Sequence, residues 1–401
     1  MVQVAVLGFG IVGSGTVEVL DKNADVIARN AGREIKVKHI LDIRDIDGPY
    51  KKLFVKNFEA IENDPDISVV AEVIGGVGAA LDFTRRCLSA GKSVVTSNKE
   101  LVAQHGYELL ELAHKNGVNY LFEASVGGGI PIIRPVAQCL SANKISEIYG
   151  ILNGTTNYIL SEMVKNGAAF GDALSDAQKK GYAEADPTAD IEGHDACRKL
   201  CILSSLAFGR HVYPDSVPAQ GITGITADDV RLAGSLGYKI KLLGRARAIG
   251  DKVAAYVAPH LVAQDSILAG VDGVMNGIVV RGNVVGDVAF IGPGAGKMPT
   301  ASAVVADIID AVKHMNDRKL IGWEDHKDVT TDSGGLQSAW YVRTDAKRAK
   351  IEREFGEIMF AENASDGQEA FITAVMDAKK LTEILGRGVS ALSRFRVLSD
   401  Y

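Results

Sequence analysis

Cysteine is scarce: Cys87, Cys139, Cys197 and Cys201 are four in 401 residues, and no two form a C-x-x-C pair. That count excludes a disulfide framework and leaves reduced thiols as the expected state. Long apolar runs are missing too. No stretch of about 18 uncharged apolar residues occurs, so no transmembrane helix and no membrane partner is expected. The start, Val2 to Leu7, has neither a basic segment nor the long apolar core of a secretory signal, which makes the cytoplasm the expected location. Positive charge is not in excess. With 44 Lys and Arg against 50 Asp and Glu, the net charge of −6 argues against nucleic acid and anionic membranes and selects no other partner.

What the chain does have is bulk. Hydrophobic residues at 47% with 23% charged read as a globular rather than a disordered protein. Its length suggests two or three domains, since one domain usually takes about 100–200 residues.

The densest concentration of ionisable groups lies in Gly181–Lys199, GYAEADPTADIEGHDACRK. Asp186-Pro187 favours a turn, and the residues from Gly193 to Leu203 read as a helix. On that helix Asp195 and Lys199 are four residues apart and share a face. An isolated D-x-x-x-K would be a surface ion pair. Here Glu184, Asp190 and Asp195 crowd negative charge into a loop that calls for a cationic partner, and the ammonium of a substrate would serve.

At the other end, the strand-like run Val2–Leu7 feeds Gly8-Phe9-Gly10-Ile11-Val12-Gly13, which opens a helical pattern. A G-x-G-x-x-G between strand and helix indicates a dinucleotide site, because glycines let the backbone approach a pyrophosphate and free N–H groups at the helix start favour its charge. Strands follow at Ile35–Ile43, Val69–Ile74 and Ser93–Thr96, with helices at Leu81–Ser89 and Leu101–Lys115. This alternation predicts a Rossmann-type doubly wound parallel sheet. Residues just past its strand ends face the cofactor: Gly75, Thr96, Asn98 and Lys99. After the second strand Asp42 suits a ribose 2′-OH and Arg44 a 2′-phosphate, and strand periodicity puts both on one face.

Leu121–Glu123 reads as a further strand end before the glycine-rich turn Ala124–Pro131, and Pro135–Ser141 as helical. A second, α+β domain begins at strand Ile148–Leu152, followed by Asn153-Gly154-Thr155-Thr156-Asn157 and helix Tyr158–Lys165, with sheet at Lys239–Ala248, Val253–Leu261 and Gly277–Val285. The segment Gly292–Thr300 carries G-K but fails the phosphate-loop spacing, since position 291 is isoleucine and Met298 follows the lysine. Thr300–Val312 reads as a closing helix and Met315–Leu320 as a linker. The remainder, Gln337–Arg343 strand, Ala346–Phe355 helix, Glu357–Ala361 and Glu369–Val375 strands, Ala378–Leu385 helix and Arg394–Leu398 strand, has the order βαββαβ.

The spacing A-x3-G-Y-A-x2-D-P-x2-D-I-x-G-x-D-x3-K from Ala177 to Lys199 resembles the motif of the homoserine dehydrogenases, which reduce aspartate 4-semialdehyde to homoserine. Five motifs in order carry that resemblance over residues 1 to about 315. It implies hydride transfer between the nicotinamide C4 and the aldehyde carbon, with Lys199, oriented by Asp195, and Lys99 as the two acid/base candidates. Thr96-Ser97-Asn98-Lys99 is similar to the family's segment at the nicotinamide, N-G-T-T-N places Gly154 and Thr155 at the substrate, and the long motif places Glu184 there with Asp190 in support. G-P-G-A-G, ending at Gly296, resembles the return to the cofactor domain. The family also binds a monovalent cation such as Na⁺, which matching puts on Glu123 and the carbonyls of Val126, Gly128 and Ile130. An arginine at about position 44 implies NADP, with NAD as the alternative.

The expected domains are 1–134, completed by 300–315, for the dinucleotide; 135–299 for substrate and dimerisation; and 321–401, which resembles the ACT regulatory domain. A homodimer or homotetramer is implied, and an amino-acid effector at the last domain, although the usual effector turn is replaced by Thr344-Asp345-Ala346-Lys347. Two other readings have discriminating features. An acyl-enzyme dehydrogenase needs an activated cysteine, and Cys139 lies without a nearby histidine in sequence. A sensor on a dead enzyme fold would have lost Lys99 and Lys199, and both are present.

Overall fold

A computed structural model describes residues 1–398 apart from 318, 320, 357, 363, 365 and 366. The chain divides into two compact units, Met1–Lys144 with Cys201–Pro214 and Gly292–Lys327, and Ile145–Leu200 with Asp215–Ile291 and Asp328–Tyr401.

In the first unit, β1 (Val2–Leu7), β2 (Ile35–Leu41), β3 (Phe54–Val55), β4 (Ile67–Glu72), β5 (Ser93–Thr96) and β6 (Tyr120–Leu121) form a sheet in the order β3-β2-β1-β4-β5-β6. All its pairings are parallel. The crossovers carry helices α1 (Ile11–Lys22), α2 (Ala24–Ala31), α3 (Glu59–Glu62), α4 (Gly78–Ser89) and α5 (Lys99–Lys115). Strands buried on both faces need nearly continuous apolar sequence, and Val4, Val6, Val69, Ala71 and Val95 supply it in the core beneath α1. This is the doubly wound arrangement that the alternation predicts.

The second unit has β7 (Ile145–Ile151), α6 (Gly154–Asn166), α7 (Phe170–Lys179), α8 (Thr188–Ile191), the start of α9 (His194–Phe208), α10 (Ala227–Ser235), β8 (Tyr238–Ile249), β9 (Lys252–Ala263), β10 (Met275–Gly282) and most of β11 (Gly286–Pro293). Helix α11 (Lys297–Lys313) belongs to the first unit. The C-terminal elements follow as β12 (Trp340–Thr344), α12 (Arg348–Phe355), β13 (Met359–Phe360), β14 (Glu369–Ile372), α13 (Ala378–Leu385) and β15 (Ala391–Val397). They keep the βαββαβ order and make their own small core around Trp340, Val342, Phe371 and Leu381.

The sheet that these elements build has nine strands, β11-β10-β7-β8-β9-β15-β12-β14-β13. Strand β15 joins β9 in parallel, with Arg396 opposite His260 and Val397 opposite Leu261. The expected boundaries are corrected accordingly. Residues 328–401 share a compact unit with 145–200 and 215–291, and residues 135–144 and 201–214 fall with the dinucleotide-binding unit. Hydrophobic period identifies a strand but not which edge it will pair with, so sequence gives no sign of this junction.

Smaller differences have local causes. The strand expected at Leu121–Glu123 stops at Leu121, and Glu123–Ser125 is a 3-10 turn, because Glu123 turns its carboxylate into the protein. Pro135–Cys139 is one π-helical turn; Pro135 has no N–H for an ordinary helix. Leu320 and Glu357, which end and begin expected segments, lie outside the described residues. Among the described residues no helix is long and apolar enough to cross a membrane.

Candidate active site

The first unit presents a nucleotide cradle. Gly8 has φ 95°, a conformation that suits glycine, and a Cβ on Gly13 would lie 2.0 Å from the Gly8 carbonyl, so a side chain there would push α1 away from β1. Helix α1 starts at Ile11 after Gly10, with no side-chain cap and no acidic residue in its first turn. Its N–H groups and positive dipole end are therefore left for an anion, as the pyrophosphate reading of Gly8, Phe9, Gly10, Ile11, Val12 and Gly13 requires.

Asp42 and Arg44 act together. The Asp42 carboxylate accepts the Phe9 N–H at 2.8 Å and grips the Arg44 guanidinium through Nε at 2.9 Å and Nη2 at 2.8 Å. The side-chain hydrogen bonds from Arg44, aided by the backbone N–H groups of Arg44 and Phe9, hold this carboxyl far below the usual range. Asp42 is buried and its lone pairs are engaged, whereas Arg44 is exposed. The group presented to a ligand is the guanidinium.

A buried carboxylate that sequence reading did not single out ties the Thr96–Lys99 segment together. Glu72, fully buried at the end of β4, accepts Thr96 Oγ1 at 2.7 Å and the Ile74 N–H at 2.8 Å. Burial pushes its pKa up. Thr96 Oγ1 in turn accepts the Asn98 N–H at 2.9 Å, and Asn98 Nδ2 donates to the Gly76 carbonyl at 2.6 Å. Asn98 also caps α5 by accepting the Leu101 N–H. Lys99 is the first residue of that helix and half-buried, Ser97 precedes the cap, and Gly75 takes φ 87° in the turn held by Glu72. A single acidic residue at the end of an otherwise apolar strand was the available signal. Gly296, with φ 127°, immediately precedes α11 in the same unit.

The glycine turn tests the cation reading. The Glu123 side chain accepts the N–H groups of Ile132 at 2.7 Å, Ile133 at 2.8 Å and Arg134 at 2.9 Å, and Arg134 Nε at 2.9 Å. Its carboxylate is filled by these donors, which corrects the expectation that it would meet the ion. The donor type that remains is main-chain carbonyl: Val126, Gly128 and Ile130 are buried around the turn, and Gly127 and Gly128 take φ 74° and 55°. Uncharged oxygen donors suit a monovalent hard cation, so the fit is retained without the side chain. Among the described residues no group of three or more His, Cys, Asp or Glu side chains is arranged to hold a metal.

The second unit holds the acidic half. On α9, Lys199 Nζ donates to Asp195 Oδ2 at 2.7 Å and to the Leu152 carbonyl at 2.9 Å. Both residues are buried, with Lys199 8% and Asp195 3% exposed, so this is not the surface ion pair an isolated D-x-x-x-K would make. Asn153 is the hub that sequence reading left in the background. It caps α6 through Oδ1, and its Nδ2 donates to Asp190 Oδ1 at 2.7 Å and to Asp195 Oδ2 at 2.8 Å. One amide thus joins both acids to the lysine. Its place at the head of N-G-T-T-N was the signal.

Gly154 follows at the helix start, where a Cβ would lie 2.7 Å from the Val274 carbonyl. Thr155 Oγ1 donates to the Tyr182 carbonyl at 2.7 Å, which pins the loop before Glu184. Glu184 itself is exposed and takes no part in the Lys199 network; its backbone carbonyl accepts Gln178 Nε2 at 3.1 Å. Cys139 is exposed on the π-helical turn.

A parallel sheet in 3-2-1-4-5-6 order, a glycine cradle without a cap and an acidic, lysine-bearing cluster define an NAD(P)-dependent oxidoreductase. Two family models match the chain: "Homoserine dehydrogenase, NAD binding domain" over residues 8–123, and "Homoserine dehydrogenase" over residues 131–309. The chain belongs to the homoserine dehydrogenase family. It catalyses the NAD(P)H-dependent interconversion of L-aspartate 4-semialdehyde and L-homoserine by hydride transfer, a step of aspartate-family amino-acid biosynthesis.

Its relatives include a homoserine dehydrogenase of Neisseria gonorrhoeae, 45% identical over 78% of this chain and 72% of that one, and one of Pseudomonas aeruginosa, 43% identical over 86% and 82%. Among solved structures, a homoserine dehydrogenase from Thiobacillus denitrificans superposes with a TM-score of 0.88 at 37% identity, covering 99% of this chain and 98% of its own. A hyperthermophilic archaeal homoserine dehydrogenase in complex with NADPH superposes at 0.66 with 28% identity, over 77% and 97%. Family membership removes the acyl-enzyme reading, and the presence of both Lys99 and Lys199 counts against a sensor on a dead fold.

Proposed function

We propose that Lys199 supplies the proton to the carbonyl oxygen as aspartate semialdehyde is reduced, with Asp195 and Asn153 fixing its Nζ. The observation that carries this is the buried Lys199–Asp195–Asn153 network at the head of the N-G-T-T-N helix. When bound, the nicotinamide supplies the hydride. Lys199 then loses a proton as the alkoxide forms and regains one from solvent; in the reverse direction it accepts the hydroxyl proton. Asp195, an anion at 2.7 Å, favours the protonated lysine and steers its Nζ. Lys99, held at the start of α5 by the Glu72–Thr96–Asn98 chain, is the second acid/base group. Lys199→Ala should lower kcat by about 10²–10⁴, the usual contribution of a positioned acid, with NADPH affinity nearly unchanged. Lys99→Ala should also be severe. Equal losses in single and double variants mean that the two lysines act as one unit, and a Lys199→Ala kcat within about threefold of wild type removes the role.

Glu184 receives the α-ammonium of the substrate, supported by Asp190. NADP is the preferred cofactor, because Arg44 is the exposed charge at the ribose end and Asp42 is neutralised by it. A monovalent cation such as Na⁺ sits on the carbonyls of Val126, Gly128 and Ile130, so exchange of Na⁺ for bulky choline should lower the melting temperature; an unchanged melt refutes the site. The βαββαβ segment is ACT-like and takes an amino-acid effector, the enzyme works in the cytoplasm, and it assembles as a homodimer or homotetramer, which light scattering in solution would test.

A further inference from the structure

We propose that the protein carries a second small-molecule site, a cavity in its C-terminal half that binds a small organic carboxylate through Arg394 and Arg396 of β15. The two arginines are two residues apart on one strand and so point from the same face of the sheet. Both line a cavity of about 220 Å³ whose other walls include Trp340, Tyr256 and Gln220. Among the described residues they are the only charged side chains in that lining, and all of it lies within the second compact unit.

Arg396 is 7% exposed. Its Nη1 donates to the Leu336 carbonyl at 3.1 Å and its Nη2 to the Ser333 carbonyl at 3.0 Å. Its guanidinium lies 4.3 Å from the Trp340 ring centre and 4.9 Å from that of Tyr256. No carboxylate among the described residues lies within ion-pair distance of Arg396 or Arg394; Asp332 acts on Arg396 only at longer range, and Arg245 adds a like charge. The other buried arginines among the described residues differ in this respect: Arg245 is paired with Glu147 and Arg343 with Asp229. A buried cation without an anion is costly, and aromatic faces with two carbonyls compensate it only in part. A guanidinium has five N–H donors in a rigid fork, and two of them are satisfied by carbonyls here.

The chemistry of the occupant follows. A planar carboxylate matches the fork bidentately, and Arg394, exposed on the same face, offers a second cation. Pro218, Ala219, Val257 and Pro259 add carbon to the lining, which favours an organic body over a hydrated inorganic anion. The volume lies below the range of about 300–1,000 Å³ typical of drug-sized ligands, so the molecule has only a few carbons. The site stands independently of the assignments made to Lys99, Lys199 and Glu184, and it differs from an effector site within the βαββαβ segment because residues 218–220 and 256–259 form part of its walls.

The test is calorimetric titration of the full-length enzyme with acetate, propionate, succinate and inorganic phosphate, against chloride at matched ionic strength. At least one carboxylate is expected to bind saturably with one site per chain and to raise the melting temperature, while phosphate does not. Arg394→Gln should weaken that binding about tenfold, the loss of one charge-assisted hydrogen bond, with basal turnover unchanged. Arg396→Gln should abolish it, and Arg396→Lys, which keeps the charge but not the fork, should weaken it at least as much as Arg394→Gln. If Arg396→Gln does not fold, Arg394→Gln and Arg396→Lys decide the question. Absence of saturable binding by every carboxylate, binding by phosphate alone, or affinity unaltered in Arg394→Gln and Arg396→Lys overturns the proposal.

Discussion

The buried lysine on α9 can be separated from its scaffold role by a double-mutant cycle on Lys199 and Asp195. At 2.7 Å and an effective dielectric near 20, their gross attraction is about 6 kcal/mol. Desolvation of both ions offsets most of it, so the intact pair contributes little net stability. Removal of one partner is different, because it strands a buried charge at a cost of about 3–5 kcal/mol. Lys199→Met should therefore lower both kcat and the urea midpoint, and the loss of rate alone would not distinguish chemistry from unfolding. Adding Asp195→Asn removes the stranded charge while Asn at 195 can still receive one hydrogen bond from Asn153. The double variant should recover much of the stability and none of the rate. NADPH oxidation with aspartate semialdehyde at saturating substrate, beside urea unfolding of the same preparations, gives both readouts. If kcat returns together with stability, Lys199 is scaffolding and the proton donor is another group.

Arg44→Ala should weaken NADPH about tenfold to a hundredfold, the worth of a charge-assisted bond to a phosphate of roughly 1.5–3 kcal/mol, and leave NADH nearly unchanged; equal weakening of both cofactors refutes Arg44 as the reader. Glu184→Leu should raise KM for aspartate semialdehyde at least about tenfold, since a carboxylate at about 4 Å attracts an ammonium by roughly 4 kcal/mol before desolvation. An unchanged KM ratio between substrate and a deaminated analogue, with a strongly lowered melt, would make the residue structural. His260 gives a pH signature: burial first, then the like charge of Arg245, push its pKa down to about 3, and its Nδ1 faces the Ala258 carbonyl while Nε2 faces the Tyr256 hydroxyl. The unfolded chain takes up this proton below about pH 6.5 and the folded chain does not until about pH 3, so stability falls as pH drops through that window. Between pH 8 and pH 5 the contribution is about 2 kcal/mol. The stability gap between wild type and His260→Gln should shrink by that amount, and a gap constant with pH would show that His260 titrates normally.

Much of the enzyme was determined by short-range pattern. The apolar runs at Val2–Leu7 and Ser93–Thr96, separated by helical segments and punctuated by Gly8, Gly13 and Gly75, prescribe parallel strands with a phosphate-binding turn, because no other residue tolerates the φ and the close approach at Gly8 and Gly13. The i, i+4 spacing likewise fixed Asp195 beside Lys199. Tertiary structure decided what these groups face. Whether a carboxylate binds a ligand or its own backbone depends on donors far away in sequence: the N–H groups of residues 132–134 fill Glu123, nine to eleven positions on, and Thr96 ties Glu72 to the next strand. Asn153 reads in sequence as a helix cap, and only folding brings Asp190 and Asp195, 37 and 42 residues later, to the two hydrogens of its amide. The pairing of β15 with β9 is of the same kind, since a strand's period records which face is buried and not which neighbour completes its hydrogen bonds.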